Sequence, residues 1–283
     1  MTVALTTVEA CCASLYGHPL VELIAGQSFH PGGPAGTRRL LDAARLPTQA
    51  RILDAGCGLG ASARLAAIEF GLNVDACDVS GAAIRRASAL ADGAGATVRF
   101  AEASLLRLPY EDGRFAGVLA ECVLSTTPKL PALAELRRVT AAGGALLITD
   151  VTATDALDAP ELIADVLCLT GAWRPAELED LASSSGFEIE RTWDETEGIV
   201  QLLDRIEARL GLLTALARDL ATTELLPGLK WGPASLADRT RVSNIFRDAR
   251  RLVTEGRIGY RALVARAVPV ETENDHRATI AAN

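Results

Sequence analysis

No apolar run in this chain approaches the roughly 18–20 residues a helix needs to cross a bilayer, so no membrane span is expected. Lys and Arg are missing until Arg38. A secretory leader needs a basic start, so none is expected, and a cytoplasmic location follows. Basic charge is scarce overall: Lys and Arg total 28 against 36 Asp and Glu, giving a net charge of −8 and a pI near 5.1. Without a basic footprint, neither a nucleic acid nor an anionic membrane is an expected partner. Cysteine is sparse, at six in 283 residues, and no two are spaced C-x-x-C. That excludes a disulfide scaffold and argues against a structural metal site, so no metal is expected.

What is present suits a globular enzyme. Apolar residues make up 49% and charged residues 23%, close to the average for soluble domains. The length allows one large domain with an appendage, or two small ones.

Residues 1–49 read as helical and irregular. Tyr16 to Ala25 fits a short helix, Ser28 to Pro34 a loop rich in Pro and Gly, and Ala35 to Ala44 a second helix. From Ala50 short apolar strands alternate with amphipathic helices. Strands are expected at Arg51 to Asp54, Asn73 to Cys77, Thr97 to Ala101, Phe115 to Ala120 and Ala145 to Asp150. Helices are expected from Ala61 to Phe70, from Ser80, an N-cap, to about Ala91, and from Pro131 to Val139. This rhythm predicts an α/β fold, a doubly wound and mostly parallel sheet. Later segments read as helices (Ala159 to Leu169, Pro175 to Ser185), a strand (Phe187 to Trp193), two long helices (about Gly198 to Leu220 and Ser235 to Thr254) and a last strand, Tyr260 to Ala267.

The richest motif is Leu53-Asp54-Ala55-Gly56-Cys57-Gly58-Leu59-Gly60, set between a strand and a helix. Glycines let a ligand approach the backbone, and the helix start behind them offers unpaired N–H groups. Gly56, Gly58 and Ala61 also fit the looser dinucleotide pattern G-x-G-x-x-A, so the glycines alone leave a nicotinamide cofactor open. Asp54 discriminates. A dinucleotide site usually keeps an apolar residue there, whereas an acid would face the ammonium of an amino-acid-like cofactor. Asp78 closes the next strand, 24 residues on, where a carboxylate can accept two ribose hydroxyls.

The stretch from Ala50 to Val151 resembles the class I S-adenosylmethionine-dependent methyltransferases. The resemblance rests on the glycine motif, on Asp78, on Leu108-Pro109-Tyr110-Glu111-Asp112-Gly113-Arg114-Phe115, and on Leu136-Arg137-Arg138-Val139 with Gly143-Gly144. It implies a Rossmann-like seven-stranded sheet whose last strand is antiparallel, with S-adenosyl-L-methionine as cofactor. The residues it assigns to the cofactor are Asp54, Ala55, Gly56, Cys57, Gly58, Gly60, Asp78, Val79, Ser104, Leu105 and Glu121. Ser104 stands where many members carry an Asp that contacts adenine. The expected division is a lid over residues 1–49, a cofactor-binding core over 50–193, a helical cap or dimer insertion over 194–257, a last core strand over 258–270, and a flexible tail over 271–283.

Methyl transfer from a sulfonium is an in-line displacement, so alignment of the acceptor matters more than a fixed triad. The acceptor side is expected from residues 11–34, Glu121 to Thr127 and the region after Asp150. His18 and His30 are candidate bases there, with Tyr16 and Phe29 as walls. Cys122 follows the fourth strand at the ligand edge of the sheet. Cys168 lies in Cys168-Leu169-Thr170-Gly171-Ala172, a stretch that looks like the segment carrying an arsenic-binding cysteine in arsenite methyltransferases; Tyr16-Gly17 is similar to their lid. His18 stands where that lid carries Cys, and Cys11 and Cys12 are the other nearby thiols. Trivalent arsenic prefers thiolates, so a small-molecule acceptor is expected, with thiolate-bound arsenic(III) the leading specific case. The alternatives are an organic natural-product or quinone-like acceptor, an NAD(P)-dependent oxidoreductase, or a cofactor-binding protein without catalysis. A homodimer through the late helices is a further option.

Overall fold

A computed structural model describes residues 23–24, 26–28, 30–154, 157, 159, 161–220 and 239–269. His18, Tyr16, Cys11, Cys12 and Phe29 lie outside the described residues, as do most of the first expected helix and most of the polar tail.

Seven strands form one sheet: β1 (Arg51–Ala55), β2 (Asn73–Asp78), β3 (Val98–Glu102), β4 (Phe115–Glu121), β5 (Thr140–Ala153), β6 (Phe187–Asp194) and β7 (Ile258–Ala267). Their order is β3-β2-β1-β4-β5-β7-β6. β1 to β5 run parallel, and β7 is antiparallel to both of its neighbours. The fold is therefore the expected Rossmann-like α/β sheet with its last strand reversed.

Period-two alternation divides the strands between two cores. Leu53, Val118, Leu146 and Leu263 face one layer, where they meet Leu133 and Leu136 of α4 (Lys129–Val139) and Leu178 of α6 (Glu177–Ser184). Their chain neighbours Ile52, Leu119, Leu147 and Val264 face the other. There they meet Leu40 and Leu41 of α1 (Gly33–Ala44) and Ala63 and Ala66 of α2 (Ala61–Glu69). α3 (Gly81–Ala94) follows β2, and the Ser80 hydroxyl caps it by accepting from Ala83 N at 3.3 Å.

A third apolar cluster lies beyond this sandwich. It joins α5 (Glu161–Val166), α7 (Glu197–Leu220) and α8 (Arg239–Thr254) to Val151, Ile258 and Tyr260 at one end of β5 and β7. Within the stretch 194–257, the described helices α7 and α8 pack on this end of the sheet. No helix among the described residues is long and apolar enough to cross a membrane.

Several boundaries differ from the sequence reading by two or more residues, and three of them change how elements join. β5 starts at Thr140, so Gly143 and Gly144 lie inside it, where the pairing with β4 shifts register between Phe115 and Gly117. α4 starts two residues before Pro131, at Lys129. The helix expected to reach Leu169 stops at Val166, and a 3-10 turn, Leu169–Gly171, follows a left-handed Cys168 (φ 51°).

Candidate active site

The chain winds outward from β1 through β2 to β3, then crosses to β4 on the other side of β1. In such sheets a crevice opens at the carboxyl ends of the strands flanking that switch. A cleft lies there, and three carboxylates enter it: Asp54 from β1, Asp78 from the end of β2, and Glu121 from the end of β4.

The glycine loop shapes its floor. Gly56 N and Cys57 N both donate to Cys77 O, at 2.8 and 2.9 Å, tying the loop to β2. Gly56 has φ +78°, and a Cβ there would stand 2.4 Å from Val123 Cγ2. Gly60 (φ +70°) opens α2, and a Cβ on it would press on the Phe100 ring at 2.9 Å. No side chain caps α2, so its first N–H groups carry the partial positive charge of a helix start.

Asp78 is braced on both oxygens. Oδ2 accepts from Gly58 N at 2.9 Å and Oδ1 from Ser80 N at 2.8 Å. A carboxylate oxygen has a second acceptor site, so both oxygens can still take a hydroxyl. Burial nonetheless pushes its pKa up.

Asp54 is 3% exposed and its Oδ2 has no hydrogen-bond partner. Burial first, then the charges of Glu121 and Asp78, hold its carboxyl well above the usual range. An orphaned acceptor at the centre of a cleft is what a bound donor group would satisfy.

Glu121 is held differently. Thr37 of α1 donates to its two oxygens at 3.2 and 3.1 Å, and Ser62 of α2 donates to Oε2 at 2.5 Å. His30 Nδ1 stands 3.6 Å from Oε1 with no hydrogen-bond partner, while Nε2 lies 3.3 Å from the Thr37 hydroxyl.

The described lining contains most of the expected cofactor residues: Asp54, Gly56, Cys57, Gly58, Asp78, Val79, Leu105 and Glu121. Four expected site residues do not line it. Ala55 is fully buried in the core. Gly60 serves as the helix cap. Ser104 turns its hydroxyl back to accept from Leu106 N at 3.2 Å, so apolar Leu105 faces the cleft instead. Cys168 is buried beside the 3-10 turn, while Cys122 lines the cleft with a left-handed backbone (φ 55°). His30 lines the cleft too, but both ring nitrogens face the Glu121 network. The histidine expected as a candidate base thus lies within this network. Among the described residues no group of three His, Cys, Asp or Glu side chains is placed to hold a metal.

The sequence reading missed Thr37 and Ser62, whose only signal is a hydroxyl on a helix face that is otherwise apolar where buried. Gln27 and Ser28 also line the cleft, from the expected lid segment, and Thr126 and Thr127 from the expected acceptor side.

Sheet order, glycine loop and the two acids on successive strands define a class I methyltransferase fold. Residues 52–144 match the family model described as a methyltransferase domain, and this stretch is such a domain. A curated relative from Synechocystis, a 2-methyl-6-phytyl-1,4-hydroquinone methyltransferase, is 33% identical over 119 residues, 41% of this chain and 36% of that protein. The chain spans between 36% and 56% of the length of the curated relatives it matches. Among solved structures, a putative sarcosine dimethylglycine methyltransferase from Galdieria sulphuraria superposes with TM-score 0.72 at 19% identity, covering 89% of this chain and 98% of that one. The [4+2]-cyclase SpnF superposes with TM-score 0.65 at 22% identity, covering 84% and 81%. These last two likenesses show the fold.

Proposed function

We propose that this protein is an S-adenosylmethionine-dependent methyltransferase acting on a small organic molecule. The observation that carries the reading is the unpartnered Oδ2 of Asp54, buried at the mouth of a glycine loop. A cofactor with an ammonium group would satisfy it, and a dinucleotide offers none at that place.

When bound, the cofactor supplies an electrophilic methyl group on a sulfonium sulfur. Asp54 holds the ammonium end, and the loop from Gly56 to Gly58 lets the backbone approach the ligand. Asp78 accepts the ribose hydroxyls through the acceptor sites its two backbone bonds leave. Val79, Ala83 and Leu105 give an apolar seat for a base. Cys122, Val123, Thr126 and Thr127 form the opposite wall, where an acceptor would align with the methyl.

That wall favours an organic acceptor over arsenic(III). Of the described cysteines only Cys57 and Cys122 line the cleft. Burial, and then the charges of Asp54 and Asp78, push the Cys57 thiol well up, away from the thiolate that arsenic needs. A quinone-like acceptor fits the apolar lining and matches the chemistry named for the Synechocystis relative. A nucleic-acid acceptor fits poorly with a net charge of −8.

The first test is calorimetry with S-adenosylhomocysteine and with NADH. Micromolar binding of the former and none of the latter is expected; the reverse would overturn the reading. Because a cyclase shares the fold, labelled methyl transfer to a panel of phenols, quinols, amines, thiols and arsenite is the second.

A further inference from the structure

α7 lies along the segment that forms one wall of the cleft. At its start, a Cβ on Gly198 would come within 3.0 Å of the Pro31 carbonyl. Further along, Arg209 donates to the carbonyl oxygens of Leu23 and Ile24 at 3.4 and 3.2 Å, and its Nη1 lies 3.3 Å from where a Cβ on Gly26 would stand. Arg205 is one turn before Arg209 on the same helix face. It therefore lies between the two points at which α7 meets that segment, whose Gln27, Ser28 and His30 line the cleft; Arg205 itself is outside that lining.

Arg205 lacks what a partly buried arginine usually has. Its Nε is buried and makes no hydrogen bond. No acidic side chain among the described residues pairs with it, in a chain with 36 of them. Burial, and then the like charge of Arg209, lower its pKa. Ser28, on the segment that α7 packs against, repeats the pattern: its Oγ is buried and unpartnered, and the residue lines the cleft. Both orphaned groups are hydrogen-bond donors. A guanidinium without a counter-ion beside a second guanidinium is destabilising, and one bound oxyanion would relieve both deficits.

We propose that Arg205, backed by Arg209 and with Ser28 on the segment that α7 packs against, forms a carboxylate subsite behind the lid-side wall of the cleft. The inference rests on reading the cleft as the cofactor pocket. The planar fork of Arg205 suits a carboxylate, which it can meet with two parallel hydrogen bonds. Two bound molecules can bring such a group: the cofactor, through its methionyl carboxylate, and an acidic acceptor.

The test uses the full chain and the variants Arg205→Gln and Ser28→Ala. Ligand-free Arg205→Gln is expected to melt at or above the wild-type temperature, because an uncompensated charge has gone; a lower melting temperature would assign Arg205 a structural role and overturn the proposal. Calorimetry then compares S-adenosylhomocysteine with 5′-methylthioadenosine, which lacks the carboxylate. A tenfold or greater loss for the former in both variants, with the latter unchanged, identifies the cofactor as the source. If S-adenosylhomocysteine binding is unchanged, acetate should stabilise the saturated wild-type protein against an equal ionic strength of chloride, and Arg205→Gln should abolish that shift. No response in either arm overturns the subsite. Failure of wild-type protein to bind S-adenosylhomocysteine would instead remove the cofactor reading, and the acetate shift of the ligand-free chain would then decide the subsite alone.

Discussion

His30 Nδ1 stands 3.6 Å from Glu121 Oε1, and both side chains are buried against hydroxyls from two different helices. The Thr37 hydroxyl has one proton. Donated to Glu121, it leaves the oxygen to accept from His30 Nε2, so the imidazole is built into the wall. This geometry predicts a positioning role for His30. Glu121→Gln places an amide among donors and leaves at least one of them unsatisfied, at a cost of about 1–3 kcal/mol in chemical denaturation. His30→Ala should lower turnover without removing a limb of the pH–rate profile. Loss of a limb would restore His30 as the base.

Asp54 carries a burden that the cofactor would lift. Its folded pKa is raised above the reference value of 3.8, so the folded chain holds this proton more tightly than the unfolded chain. Its contribution to ligand-free stability is present at low pH and is lost as pH rises from the usual carboxylate range towards the raised value. Asp54→Asn removes that loss. Its ligand-free melting temperature should exceed wild type at neutral pH, while affinity for S-adenosylhomocysteine falls roughly ten- to a hundredfold, as for loss of a charged hydrogen bond of about 1.5–3 kcal/mol. Binding to wild type should also release a proton, visible as a buffer-dependent calorimetric heat. A variant that loses stability and keeps affinity would assign Asp54 to packing.

Asp78 braces Gly58 and the start of α3 through one backbone N–H on each oxygen. On the proposed reading its remaining acceptor sites would take the ribose hydroxyls. Asp78→Ala should therefore weaken S-adenosylhomocysteine roughly ten- to a hundredfold and also increase amide hydrogen exchange in the loop from Gly56 to Gly60. An unchanged dissociation constant in the folded variant would move the ribose site elsewhere.

What the sequence made legible follows physical range. Strand alternation, the Ser80 cap and the glycine loop are local signals, and β1, β2, β3 and β4 begin within a residue of where the pattern puts them. The acids at the strand ends were legible because a parallel sheet brings its carboxyl ends together whatever lies between. The Glu121 network was not. Thr37 and Ser62 reach it from 84 and 59 residues away, and nothing local distinguishes them from other helix hydroxyls. The local bond from Leu106 N to the Ser104 hydroxyl was not legible either, because spacing alone does not reveal which partner a hydroxyl takes.

The two late cysteines give the last prediction, because only one of them lines the cleft. Cys122 lines the cleft between Glu121 and Val123, whereas Cys168 is buried at the head of the turn Leu169–Gly171. That turn sits tightly on the Leu124–Thr126 turn: a Cβ on Gly171 would fall 1.8 Å from Ser125 O. A thiol at Cys168 thus supports the wall from behind. Cys168→Ser places a hydroxyl in that buried position and should lower stability by about 1–3 kcal/mol if it finds no partner, with the KM for an organic acceptor unchanged. Cys122→Ser should leave cofactor affinity within about twofold, far less than the 1.4 kcal/mol of a tenfold change, and alter the acceptor KM. Matched steady-state kinetics and denaturation curves for the two variants measure this split. Loss of arsenite methylation in both, with folding and cofactor binding intact, would reverse it and restore arsenic(III) as the acceptor.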